Sequence, residues 1–155
     1  MMMRRQERKG SALVETAVVY PVLFLLVLGI IMLGISVFRY QQVAHAAREG
    51  ARWAVVHGAK YAEETGNTAA PPEDIFTNAI QPQMAKVPAS TLTYAVTWDQ
   101  NNKQTYTYLY TNPTTGETSV RARQNTVSVT VRYTWDTGFF GVIPVQSTTV
   151  MTMSY

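Results

Sequence analysis

From Thr16 to Phe38 the sequence carries no charged side chain. At about 1.5 Å of rise per residue, a helix over this run reaches roughly 34 Å, enough to cross a hydrocarbon core of about 30 Å. A helix that is apolar all round needs lipid or like helices around it. This one run therefore sets the plan of the whole chain. The 155 residues divide into a leader at 1–10, a transmembrane helix at 11–38, an amphipathic helical extension at 39–62, and an α+β domain outside the cytoplasm at 63–155.

The charge distribution gives the anchor its direction. Arg4, Arg5, Arg8 and Lys9, less Glu7, account for the whole net charge of +3. After Gly10 the acidic and basic residues balance. The high isoelectric point thus belongs to the leader and not to a folded surface. That argues against nucleic acid as a partner, which calls for Lys and Arg clustered on one face. It argues instead for a leader held on the cytoplasmic side, since basic flanks stay inside. Arg39 and Arg48 lie beyond the other end of the run, but the leader cluster is denser.

An ordinary secretory signal accounts for the run poorly. Ala44-His45-Ala46 has the small-x-small form of a cleavage site, yet the apolar stretch exceeds a 7–15-residue signal core and the site lies too far past it. The chain has no cysteine. Disulfides, thiolate metal sites and cysteine nucleophiles are therefore excluded, and an exported domain must rely on core packing and assembly contacts.

Residues 11 to about 62 read as one long helix. Pro21 lacks an N–H and crowds the preceding turn, so a kink is expected there. Gly29 and Gly34 leave notches through which another helix can approach. Beyond Phe38 the pattern turns amphipathic: Val43, Ala47, Gly50, Ala54 and Tyr61 follow roughly heptad spacing, with Gly58 nearby. Arg48 and Arg52 lie on another face, with Glu49 and Glu63 as candidate partners. Residues 63–73, with Gly66, Pro71 and Pro72, break the helix. Ile75, Phe76, Ala79, Ile80 and Met84 then suggest a short second helix, favoured at its start by Glu73 or Asp74 and ended by Pro88.

From Thr91 the period becomes two. Leu92, Tyr94, Val96 and Trp98 alternate with polar or small residues, and a turn follows at 99–102. Tyr106, Tyr108 and Tyr110 alternate with threonines before a second turn at 112–117. In the clearest strand, 126–135, Val127, Val129, Val131, Tyr133 and Trp135 face one way. A last strand runs about 146–154. Such alternation means an antiparallel sheet with one packed face. The expected architecture is α+β: a long helix, a short helix, and a meander of four or five strands on the outer half of the long helix.

Glu15 stands at the edge of the apolar run. An unpaired charge in a membrane costs on the order of 2–3 kcal/mol even on lenient insertion scales. Taken alone, the carboxylate reads equally well as a side chain snorkelling at the interface. The stretch Lys9-Gly10-Ser11-Ala12-Leu13-Val14-Glu15 adds a second possibility. A cut after Gly10 frees an amine on Ser11, four residues before Glu15, and the two can pair within one chain or between neighbours. In low dielectric that pairing favours one register over others.

The run RKGSALVETAVVYPVLFLLVLG at 8–29, followed by AAREGARWA at 46–54, resembles the TadE-like proteins of the tight-adherence (type IVc) pilus system. The resemblance implies a pilin-like or pseudopilin subunit in the bacterial inner membrane. It implies cleavage by a prepilin peptidase between Gly10 and Ser11, a role for Glu15 in assembly, and packing of the apolar helix, with Pro21, Gly29 and Gly34, among like helices and an assembly platform. Two departures stand out: Thr16 follows Glu15 where these proteins often carry an aromatic, and Ser11 stands where other type IV pilins have phenylalanine.

Other chemistry is thinly represented. His45 and His57, on one helix, would stand about 18 Å apart, too far to share a metal, and no third ligand is evident. No phosphate-binding glycine loop is present. Ser11, Ser36 and Ser90 show no paired His–Asp arrangement, and Asp99, Glu117 and Asp136 sit in turn sequences where acids serve conformation. No cofactor is implied. The tyrosines read mainly as sheet packing. Phe139 and Phe140, between Gly138 and Gly141, make an aromatic loop that can fold on the domain or dock elsewhere. Three functional classes follow: an assembly subunit, an uncut membrane-anchored binding or adhesion module, and a tethered enzyme for which no constellation speaks.

Overall fold

The computed structural model describes residues 7–84, 87–138 and 141–154, without the side chains of residues 7–9 and Ser11. The leader arginines Arg4 and Arg5, the side chains of Arg8, Lys9 and Ser11, and Phe139 and Phe140 therefore lie outside the described residues. The chain divides into two compact units, residues 1–38 and 39–155. The fold class is α+β.

Helix α1 spans Glu7–Val56. Its first part, up to Phe38, offers apolar side chains on every side. Leu13, Val14, Tyr20, Phe24, Leu33 and Phe38 are all more than half exposed. Within the second unit the same helix changes role. Val43, Ala46, Ala47, Gly50, Ala51, Ala54 and Val55 are buried, a seam of mostly small residues that lets the helix lie close to its neighbours.

The helix ends earlier than its sequence suggests. Instead of running to about residue 62 it stops at Val56, and α2 (Ala59–Thr65) starts afresh after Gly58. His57 N–H still reaches the Trp53 carbonyl at 3.1 Å, but Ala59 N–H bonds the Asn102 carbonyl at 2.9 Å. Gly58 is extended there, with ψ −167°, and buried. A tertiary carbonyl has captured the donor that would have continued the helix. Gly66, with φ 71°, closes α2 in the left-handed region, where glycine carries no steric penalty.

The short second helix is present, with an irregularity. Helix α3 (Pro72–Ile75) passes through a π-helical turn, Phe76–Ile80, into α4 (Gln81–Gln83). Pro71 and Pro72 set its start, with Glu73 and Asp74 in the first turn. Gln81 N–H reaches back five residues to the Phe76 carbonyl. The wider turn brings Ile75 and Ile80, both 0% exposed, onto the same inner face, and it falls just before Pro82, which has no N–H for a regular ladder. The element finishes at Gln83, ahead of Pro88.

The strands are β1 (Leu92–Trp98), β2 (Thr105–Thr111), β3 (Thr118–Gln124), β4 (Thr126–Asp136) and β5 (Val142–Thr152). They do not form a meander. β4 is the centre of a three-stranded antiparallel sheet in the order β1-β4-β5, and β2-β3 is a separate hairpin. Leu92 faces Tyr133 and Trp98 faces Val127, while Tyr133 faces Val145 and Asp136 faces Val142. β5 begins at Val142, four residues before its expected start, because it pairs along the whole of β4.

The alternation along β4 is as expected: Val127, Val129, Val131 and Tyr133 are buried and Trp135 is half-buried. These residues close over the α1 seam together with Ile75, Ile80, Met84, Leu92, Val145 and Met153. Tyr106, Tyr108 and Tyr110 belong to no core. They lie on the hairpin, where Tyr110 carries the Arg121 guanidinium 3.7 Å above its ring. The expectation that they pack inward fails because β1 pairs with β4, which leaves β2 outside the sheet.

One polar side chain is buried among the described residues, Asn125. Its amide N–H2 donates to the carbonyls of Gln100, Asn101 (2.7 Å) and Lys103 (2.8 Å). Its oxygen accepts from Gln100 N–H and Thr126 N–H. The backbone of Asn125 bonds Gln104 on one side and Met153 on the other. The loop between β1 and β2 is thus wrapped around one side chain at the joint between hairpin and sheet.

Candidate functional site

The residues singled out for processing and assembly lie on α1 within residues 10–34. Gly10 is exposed and helical. Thr16 returns its hydroxyl to the Ala12 carbonyl at 2.7 Å, as Ser36 does to Met32 at 2.8 Å. Both hydroxyls thereby satisfy themselves within the helix, which suits an apolar surround. Glu15 is exposed, and no ion pair to it is found among the described residues. Ala12, Leu13, Thr16, Ala17 and Tyr20 line a shallow depression beside it. α1 continues through Pro21. A Cβ added at Gly29 or Gly34 meets nothing within 4 Å.

Among the described residues, none covers this apolar stretch. The most apolar 18-residue window of α1 is 0% buried, and the helix is long and apolar enough to cross a membrane. Residues 10–52 match the family model described as TadE-like protein. The chain carries a TadE-like domain. No curated protein and no solved structure matches the chain.

The TadE-like domain begins at Gly10, covers the apolar run and ends at Arg52. It therefore takes in Ser11, Glu15, Pro21, Gly29 and Gly34 together with the first turns of the buried seam, and it stops short of every strand. The match is to the N-terminal helix alone, residues 10–52.

The remaining candidates resolve into structural roles. His57 stacks on Trp53, with ring centroids 4.0 Å apart, and meets Tyr61 edge-on at 4.7 Å. Its Nδ1 lies 2.9 Å from the Trp53 carbonyl. His45 is exposed. No group of three or more metal-ligating side chains occurs among the described residues. Arg52 pairs with Glu49 at 3.4 Å, an exposed contact contributing about 0.3–0.5 kcal/mol. Asp99 accepts from the Thr126 hydroxyl at 2.7 Å, and Asp136 accepts from Gly138 N–H at 2.8 Å. Both carboxylates hold turns, as their sequence context suggests. Sequence reasoning treated Arg39 only as a flanking charge and passed over Asn125. Arg39 sits over the Tyr133 ring, 5.9 Å from its centroid, and donates to Gln42 at 3.1 Å. The signal for Arg39 was its place as the first charge after the apolar run. Asn125 gave no signal beyond lying between two alternating segments.

Proposed function

We propose that the chain is a pilin-like assembly subunit, a minor pilin or pseudopilin of a type IVc (tight-adherence) pilus. In this reading it is held in the bacterial inner membrane with its leader in the cytoplasm until a prepilin peptidase cuts between Gly10 and Ser11. The observation that carries the reading is the TadE-like match beginning at Gly10, on a helix whose most apolar window is left uncovered by the described residues. The anchor supplies bundle contacts. Glu15 of one subunit meets the new ammonium on Ser11 of the same or a neighbouring subunit, and the pairing selects register because an unmatched charge in lipid is costly. Gly29 and Gly34 admit the neighbouring helix closely. The partners are then other pilin subunits, the assembly platform and the bilayer, and the role is mechanical rather than catalytic.

Expression with the peptidase and mass spectrometry of the product tests the first step. The mature chain is expected to start at Ser11; a chain that keeps residues 1–10 beside an active peptidase sinks the processing claim and favours the uncut module. Glu15→Ala tests the second step. Cleavage should persist, while recovery with partner pilins should fall about tenfold or more, the factor that corresponds to losing 1.4 kcal/mol. Wild-type recovery of this variant would count against charge pairing as the register device.

A further inference from the structure

The end of α1 meets a loop that the fold holds in place. Ala70 N–H donates to the His57 carbonyl at 3.0 Å. The Asn102 side-chain amide donates to the Ala70 carbonyl at 3.2 Å, and the Asn102 carbonyl takes Ala59 N–H at 2.9 Å. These bonds stitch the end of α1, the start of α2 and the segment before Pro71 into one frame. Within the frame lies an open cleft of about 440 Å³, inside the range of about 300–1,000 Å³ usual for small-molecule sites. Every residue lining it belongs to the second unit.

One wall of the cleft is aromatic. Trp53 and His57 stack with centroids 4.0 Å apart at 13°, and Tyr61 meets His57 edge-on at 4.7 Å. All three are half-buried, so packing fixes the wall while part of it still reaches solvent. The rest of the lining is polar: Asn67, Thr68, Asp74 and Asn78, all exposed. The Asn78 amide donates to the Asp74 carbonyl at 2.9 Å, and the Asn67 amide donates to the Thr65 hydroxyl at 3.1 Å. Each amide is thereby oriented and keeps an oxygen acceptor. Among the described residues no hydrogen bond or ion pair reaches the Asp74 carboxylate or the Thr68 hydroxyl.

An apolar ring surface beside amide, hydroxyl and carboxylate groups is the chemistry that holds a sugar. The C–H face of a pyranose lies against the negative face of an aromatic ring, and its hydroxyls both donate and accept. No Lys or Arg lines this cleft, which disfavours a phosphate or another anion. An ammonium ligand calls for rings turned around the cation, whereas Trp53 and His57 lie face to face. A second depression, of about 380 Å³, shares Trp53, His57 and Asn78 and continues along α1 to Glu49 and Arg52. Those two charges pair with each other, so the continuation adds length without adding net charge.

We propose that this groove binds a neutral oligosaccharide, with one pyranose ring against the wall of Trp53, His57 and Tyr61 and its hydroxyls on Asp74 and Asn78. The site needs neither a cut after Gly10 nor a pairing at Glu15, so it stands or falls apart from the assembly role.

The full chain in phospholipid nanodiscs, which avoid sugar-headed detergents, is titrated with cellotriose, maltotriose and tri-N-acetylchitotriose. Saturation-transfer NMR reads contact with each trisaccharide. At least one should bind with a Kd on the order of 1 mM, a free energy of about −4 kcal/mol. Asp74→Ala should weaken that binding about tenfold, the factor expected for losing a hydrogen bond to a charged acceptor. Tyr61→Ala should lower transfer to the sugar-ring protons several-fold. Tyr108→Ala removes an exposed aromatic of the β2–β3 hairpin and should change nothing. No transfer to any of the three sugars at about 20 mM, well above that Kd, overturns the proposal. Wild-type binding in both Asp74→Ala and Tyr61→Ala overturns it too, as does binding that is lost in Tyr108→Ala.

Discussion

Gly50→Leu is expected to destroy the cooperative unfolding of the second unit. At Gly50 α1 lies directly against the core. A bare Cβ there would sit 2.9 Å from Ile80 Cγ1 and 3.2 Å from Val129 Cγ1, and both of those side chains are 0% exposed. Alanine would restore about 1 kcal/mol of helix propensity against about 1–3 kcal/mol of overpacking. Gly50→Ala should therefore lower the midpoint by only a few degrees. Leucine adds three more carbons with no free volume to take them, and the overpacking then exceeds about 3 kcal/mol, a large share of the 5–15 kcal/mol typical of a domain. Thermal unfolding of the full chain in detergent, followed by tryptophan emission, checks this. Gly29→Leu is the control: a Cβ there meets nothing within 4 Å, and the unfolding curve should not move. A cooperative, wild-type-like transition for Gly50→Leu would mean that α1 does not pack as described.

Asn125→Ala is expected to cost on the order of 3 kcal/mol. Each buried group left without its partner costs about 1–3 kcal/mol, and the side chain serves three carbonyls and two N–H groups at once. Water at the partly exposed loop recovers some of that loss. Asn125→Asp should be worse at neutral pH, since a carboxylate oxygen would face the carbonyls of Gln100, Asn101 and Lys103. The sign with pH follows. Those carbonyls and burial hold the new carboxyl's folded pKa above its unfolded value of about 3.9. The defect is therefore largest above the folded pKa and shrinks as pH falls toward about 4, where the protonated acid can donate. Urea titrations at neutral and acid pH read both effects. An Asp variant whose deficit grows on acidification would contradict the donor role assigned to the Asn125 amide.

The parts of the molecule governed by periodicity were legible in the sequence. The charge-free run, the small-residue seam and the alternation of β4 each follow from where apolar side chains must go. The parts governed by competition for backbone hydrogen bonds were not. Nothing near Gly58 announces that the Asn102 carbonyl will take the Ala59 N–H and end α1, because the two meet only once the chain has folded. The choice of β4 over β2 as the partner of β1 is of the same kind. Both candidates alternate well, and the decision falls to Val127, Val129 and Val131, which can cover the α1 seam, whereas the tyrosines and threonines of β2 cover it poorly. At the candidate site the order Gly10, Ser11, Glu15 stands out through chemistry and resemblance, and its role remains the proposal made above. The contact of Arg39 with Tyr133 does not stand out, because it joins residues nearly a hundred positions apart.

The hairpin leaves and rejoins the fold at a single point, where Asn125 N–H meets the Gln104 carbonyl at 2.8 Å. Everything between those two residues hangs outside the three-stranded sheet. A cassette of this sort can be lengthened, shortened or exchanged while the valines of β4 keep their neighbours. Two chains could thus share a long helix and a core and still present unrelated surfaces, with variation confined to residues 105–124.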